Sequence, residues 1–393
     1  MKPKEIFYAF DLQTSQLKKN RRCMMKSRPR LFLLTLLASF LALGAVTTQA
    51  AEKFTYTGPP ITIRFSAYYP AVYPVFKIGV APWMKMVEKE SNGKIVFKEF
   101  LSGVLHSAKD GFKAMRSDIA DITLGYPAYQ ATSFYLCNAP DLPFCFPNTY
   151  VASLVMEELY SQYLKKEYEN MGVYLAFYLN TSTYNVITKK PIKKYEDFKG
   201  MKVRSLGGAC SDMLKKIGAA PVSMLVPEIY TSFQRGIIDG ALLHDNGIYT
   251  YRLHEIGKYI LSFSMTRMGI PYCMNRKFFD GLPMDVKAFL YYQLRIGSQM
   301  ASDAYEKSDK ESRAEMIKAG VEYNTLSPED TKKCKAALEP LWGEFVTQYE
   351  KMGLPAKQFV KDLRALSDKY ETWTPEQILK HVTEHPVQGI INF

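Results

Sequence analysis

The run Met201-Lys202-Val203-Arg204, followed by Gly207-Gly208 and a helical pattern through Ile217, is the most chemically suggestive stretch of the chain. An arginine at the carboxyl end of a strand stands where open α/β sheets place their ligands. Its planar guanidinium can hold a carboxylate through two parallel hydrogen bonds. The helix that follows adds unpaired N–H groups and a dipole favourable to an anion. The competing reading is an arginine paired with a neighbouring Asp or Glu on the surface. Tyrosine is the second signal, with 27 in the chain. Tyr68 and Tyr69 follow the first strand-like run, Tyr126 and Tyr129 follow another, and Tyr178 and Tyr184 flank the segment before Lys189. A tyrosine offers an apolar face and a hydroxyl, which suits a pocket wall, although most tyrosines simply pack in cores.

Signatures of catalysis are sparse. His381-Val382-Thr383-Glu384-His385 fits the H-x-x-E-H spacing of certain zinc peptidases. Pro386 follows at once and little chain remains to supply a further ligand, so a solvated terminal helix is the better reading and no metal or other cofactor is expected. There is no G-x-S-x-G elbow, no phosphate-binding loop and no G-x-G-x-x-G after a strand. His106, His244 and His254 have no local partners that suggest a triad. Beyond Cys23 the cysteines number five, Cys137, Cys145, Cys210, Cys273 and Cys334, so they cannot all pair within one chain. Cys137 and Cys145 bracket a proline-rich loop and could close a disulfide in an oxidising compartment, with buried free thiols as the alternative.

The elements that must position these residues alternate between short strands and helices, the pattern of an α/β protein. Ile61–Ser66 reads as the first strand, Trp83–Glu90 as a helix ended by Asn92-Gly93, and Ile95–Phe100 as a second strand. A helical pattern through Ala108, Phe112, Met115 and Ile119 precedes a strand at Asp121–Leu124. After the Arg204 strand, Pro227 opens a helix that Gly236 ends, and Ile237–Gly240 reads as the next strand. The longest helical pattern runs from Pro283 to about Ala319, with one or two breaks expected near Gly297, and residues 326–393 are helical and polar. No Gly/Ser linker cuts the chain, so two α/β lobes that exchange strands are expected.

Length and composition agree with a folded protein: 393 residues, 47% hydrophobic and 23% charged. The net charge of +12 is misleading, because residues 1–50 hold nine Lys or Arg against Glu5 and Asp11. The remaining excess is modest and forms no phosphate-tracking stripe, which argues against nucleic acid. Lys26, Arg28 and Arg30 precede a largely apolar run from Leu31 to Val46 and then Thr48-Gln49-Ala50. That order is a cleaved secretory signal, behind an upstream extension of residues 1–23, and too short for a confident membrane span.

The segment Phe198–Arg204, with Gly218–Met224, Glu228-Ile229-Tyr230 and Gln234–Gly240, resembles the solute receptors of TRAP transporters, the DctP family. Phe65-Ser66, the loop containing Leu105, Ser117–Ile122 and Leu142-Pro143-Phe144 agree with it, so the resemblance spans about residues 57–345. It implies a two-lobed periplasmic binding protein of type II-like architecture, with a hinge and a long interlobe helix. Lobe I would take residues 51–181 and 269–310, and lobe II residues 182–268 and 311–393.

The resemblance also implies that Arg204 binds a ligand carboxylate, and that Ser66, Tyr68, Tyr126, Tyr129, Tyr184, Leu243 and His244 line the pocket. The partners implied are a small organic acid and the small and large membrane subunits of the transporter. A receptor serving a signalling protein, or a secreted hydrolase, are the rival readings. Some family members carry a second arginine near the position of Tyr184 and Glu-Asn after the Asp-Gly pair; here Ala241-Leu242-Leu243-His244 follows Asp239-Gly240. Losing a cation and an amide for apolar and aromatic groups points to a monocarboxylate with an apolar or aromatic body, such as an aryl or branched 2-oxo or 2-hydroxy acid.

Overall fold

The computed structural model describes residues 54–393 apart from Ala131, so the expected leader lies outside the described residues. Two mixed sheets organise the chain. The first has the order β2-β1-β3-β10-β4, from β1 (Ile61–Ser66), β2 (Ile95–Phe100), β3 (Ile122–Leu124), β4 (Val173–Phe177) and β10 (Tyr272–Asn275). The second has the order β11-β9-β5-β8-β6-β7, from β5 (Tyr184–Thr188), β6 (Lys202–Ser205), β7 (Ala220–Ser223), β8 (Gly240–His244), β9 (Tyr259–Leu261) and β11 (Glu322–Asn324). β1 runs parallel to β2 in unbroken register from Ile61↔Ile95 to Ser66↔Phe100, whereas β10 lies antiparallel to both β3 and β4. Strands β4, β5 and β8 are buried along their whole length; β4 accordingly reads as a continuous apolar run, while β5 keeps Asn185, whose amide donates to Asp245 Oδ1 (2.8 Å).

Because β10 returns to the first sheet after β5–β9 have built the second, the chain crosses between the sheets more than once. The outgoing segment Leu179–Tyr184 and the returning segment Met265–Ile270 pair as an antiparallel ribbon. Ile270 N–H donates to Leu179 O (2.7 Å), Thr181 N–H to Met268 O (2.9 Å) and Tyr184 N–H to Thr266 O (2.9 Å). A third crossing is the helix Met284–Lys318. Its residues Gln293–Ala304 pack on first-sheet elements, while Asp309 accepts from Asn246 N–H (2.8 Å) and Ser308 from the Asn246 amide (3.0 Å) beside the second sheet.

Several expectations change. The long helix is continuous, and Gly297 marks a close approach rather than a break: a Cβ there would lie 2.7 Å from Trp83 Nε1, whose N–H donates to Gln293 O (2.7 Å). The strand expected at Ile237–Gly240 begins only at Gly240. Gly236 sits in the left-handed region, Ile237 N–H reaches back to Ser232 O and Gly236 N–H to Phe233 O, so Ile237 and Ile238 close a helix end rather than open a strand. Cys137 and Cys145 are free and buried, so the loop is held by packing instead of a disulfide. The C-terminal region also divides differently from the expected lobe boundary. The helix Pro328–Leu338 packs on second-sheet elements, but Ala356–Tyr370 and Pro375–Glu384 pack on the first-sheet helix Thr149–Leu159. The tail then lies against the long helix, Tyr291 donating to Val387 O (2.6 Å).

Candidate functional site

Arg204 is the penultimate residue of β6, next to Ala241 of β8, and its side chain is fully buried. Nε and Nη2 both donate to Met224 O (3.1 Å each), and Nη1 donates to Leu242 O (3.3 Å). Among the described residues no carboxylate pairs with it. Of the five N–H groups a guanidinium carries, one on each terminal nitrogen is left over. Gly207 (φ 107°) and Gly208 (φ 49°) then turn the chain into the helix Gly208–Lys216, a path that side-chain-bearing residues rarely take.

Beside this cation lies an enclosed cavity of about 10 Å³, bounded by both halves of the fold. Tyr68, Tyr73 and Tyr126 come from loops of the first sheet and Thr181 and Tyr184 from the ribbon. Leu206, Val226, Leu243, His244 and Tyr251 come from the second sheet and its loops. The phenols pair off: Tyr68 with Tyr126 (2.7 Å), Tyr73 with Tyr305 (2.9 Å), and Tyr69 with Tyr272 one layer deeper. Burial pushes the Tyr68, Tyr73, Tyr126 and Tyr184 hydroxyls well above their ordinary range, so they remain neutral donors. At Tyr184 the nearby Arg204 charge opposes that rise without cancelling it.

His244 ends β8, and its Nδ1 accepts the Gly247 N–H (3.0 Å) at the start of the helix Asp245–Thr250. Its ring packs against Tyr184 (5.4 Å between centroids) and edge-on to Tyr305 (5.6 Å). Burial, helped by the Arg204 charge, lowers its pKa to about 3, so the ring is neutral. The wall therefore presents donors and aromatic faces, and none of its residues is acidic.

Of the residues singled out in the sequence, Tyr68, Tyr126, Tyr184, Leu243 and His244 line one cavity, with Arg204 at its flank. Tyr129 backs the wall by packing on Tyr126 (5.3 Å). Ser66 lies outside it: its hydroxyl donates to Phe100 O (3.2 Å) within the first sheet. Tyr73, Thr181, Val226 and Tyr251 were not anticipated. The signal for Tyr73 was its place in the same strand-end loop as Tyr68, and for Tyr251 its place just beyond the short helix after His244.

Two other features lack the makings of an anion or metal site. A larger cleft of about 620 Å³ opens between the loop Pro143–Pro147, the outer end of the ribbon and the C-terminal helices. Its Arg267 is already paired with Glu306 (2.9 Å) and its Arg364 stacks on Trp342 (4.5 Å), while Glu339, Asp368 and Glu371 outnumber these cations on the walls. His381 packs edge-on to Trp373 and stands 3.8 Å from Glu158. Among the described residues no three His, Cys, Asp or Glu side chains are placed to hold a metal.

Comparison with known proteins decides the family. The sequence profile described as bacterial extracellular solute-binding protein, family 7 (DctP), matches residues 65–348. The chain belongs to this family. Its members are substrate receptors of transporters, not enzymes, and so is this DctP-family chain. The C4-dicarboxylate-binding periplasmic protein DctP of Rhodobacter capsulatus is 23% identical over 306 residues, covering 77% of this chain and 91% of that protein. Among solved structures, a TRAP solute-binding protein of Rhodoferax ferrireducens with copurified benzoate superposes with a TM-score of 0.75 at 22% identity, over 79% of this chain and 98% of that one. A receptor from a Sulfitobacter species with bound β-D-galacturonate gives 0.67 at 23%, over 78% and 100%. They share the two-lobed α/β fold. No helix among the described residues is long and apolar enough to cross a membrane.

Proposed function

We propose that this protein is the periplasmic receptor of a TRAP transporter for a monocarboxylate with an apolar or aromatic body, and that Arg204 anchors the carboxylate. The observation that carries this reading is a fully buried guanidinium whose partners are two backbone carbonyls and no carboxylate. A buried charge is costly unless an opposite charge meets it, and a ligand carboxylate supplies that charge through the two unused N–H groups. The fold is shared by receptors holding benzoate and galacturonate, so the wall must choose between them. Here it is built from Tyr68, Tyr126, Tyr184, Leu206, Val226 and Leu243. Its aromatic faces and aliphatic side chains reward an apolar body, and the Tyr68, Tyr126 and Tyr73 hydroxyls are already engaged with other phenols, which leaves fewer partners for sugar hydroxyls.

A cavity of about 10 Å³ holds at most about one water, so entry of an organic acid requires the two halves to part and close again around it. The basic, apolar leader delivers the protein to the periplasm, where the closed form is recognised by the small and large membrane subunits.

The test is thermal unfolding of residues 51–393 against a panel of organic acids, with Arg204→Ala in parallel. An acid at about 100 times its dissociation constant adds about 2.7 kcal/mol of stability to the wild type and none to the variant. Equal shifts in both proteins, or a response to sugar acids with none to aromatic acids, would overturn the assignment.

A further inference from the structure

Resting on that reading, we propose that the site selects 2-oxo and 2-hydroxy acids over the 2-amino acids of the same skeleton, with His244 donating its Nε2–H to the oxygen on carbon 2. The tautomer follows from geometry. His244 Nδ1 accepts the Gly247 N–H (3.0 Å), so in the neutral ring the proton sits on Nε2. Among the described residues Nε2 makes no hydrogen bond, although the Asn246 side chain lies near the ring and works weakly against the lowering of its pKa. The ring is fixed between Tyr184 and Tyr305, and glycine at 247 lets the backbone approach it, since a Cβ there would fall 2.8 Å from His244 Cε1. The donor is thus held in place on the wall that Arg204 flanks.

An oxo or hydroxyl oxygen beside the carboxylate accepts from that donor. An ammonium in its place meets an N–H, a guanidinium and neutral phenols, with no acidic residue on the cavity wall to balance it. The same wall that attracts the carboxylate therefore excludes the amino acid.

The experiment is isothermal titration calorimetry with phenylpyruvate, 3-phenyllactate, 3-phenylpropionate and phenylalanine, repeated on the 4-methylpentanoate skeleton. Wild type, Arg204→Ala and His244→Asn are compared. Asparagine can still cap the Gly247 N–H but cannot extend a donor as far as Nε2 does. The wild type should bind the oxo and hydroxy acids at least about tenfold tighter than the unsubstituted acid, and the amino acid at least about a hundredfold more weakly than the oxo acid. His244→Asn should weaken binding of the oxo acid far more than that of the unsubstituted acid, bringing the two within about threefold. Equal wild-type affinity for oxo and unsubstituted acids, a preference that survives in His244→Asn, or tight binding of the amino acid overturns the inference. If in that case binding is still lost in Arg204→Ala, the receptor reading stands without it. If none of these acids binds the wild type, both fall together.

Discussion

At the scale of single residues, the interior of this protein holds charges in two ways. Glu157 and Arg295, both buried, neutralise each other at 2.9 Å, whereas among the described residues Arg204 and Asp141 have no such mate. Asp141 receives one N–H, from Gly269 of the ribbon (3.1 Å), and burial raises its pKa to about 7. The folded protein therefore keeps this proton across a range where the unfolded chain has released it, from about pH 3.8 upward. Stability falls as pH rises through that window and the full penalty stands above pH 7. Asp141→Asn keeps the acceptor and removes the charge. It should leave stability unchanged below pH 4 and raise it by about 1–3 kcal/mol at pH 8, measured by urea unfolding at both pH values. Arg204 was readable from its strand-end position and the two glycines. Tyr68, Tyr126 and Tyr184 were readable as strand-end tyrosines suited to a pocket wall, whereas His244 and Leu243 were readable only through family resemblance, because nothing local marks a strand-end histidine as a wall residue. Tyr73 and Tyr251 escaped even that, since their place depends on how two loops from different sheets meet.

At the scale of elements, alternating strands and helices were legible because apolar periodicity reports burial directly, and β1 and β2 fall where it put them. The failures share one cause. Gly297 and Ile237-Ile238 were given their intrinsic preferences, whereas tertiary neighbours decide both. Helix propensity counts Gly297 as a weak point worth about 1 kcal/mol relative to alanine, yet the helix Met284–Lys318 runs through it because Trp83 needs the space. Gly297→Ala should thus destabilise the protein by about 1–2 kcal/mol despite the gain in propensity, by displacing the indole and its bond to Gln293 O. Equilibrium denaturation checks this, and a stabilised variant would mean that the indole yields freely.

At the scale of the whole molecule, the absence of a linker in the sequence was the sign that the halves exchange strands, and β10 returning to the first sheet is the exchange itself. The assignment of the last two helices to the first half was not legible: amphipathic helices report that they have a partner, not which one. The closed cavity has a global consequence. Small-angle scattering of ligand-stripped protein should give a larger radius of gyration than the saturated complex, and an unchanged radius would mean that the halves do not part.

Three connections join these halves, and they differ mechanically. The ribbon of Leu179–Tyr184 and Met265–Ile270 is two extended strands that can flex by small dihedral changes, while the helix Met284–Lys318 is a rod anchored on both sides. Two bodies tied by a flexible sheet-like strip and a stiff strut lose most of their relative freedom. Sliding would shear the strip and twisting would wring it against the strut, which leaves rotation about one axis along the strip. On the receptor reading proposed above, opening then becomes a single coordinate, and one angle separates the empty form from the loaded one.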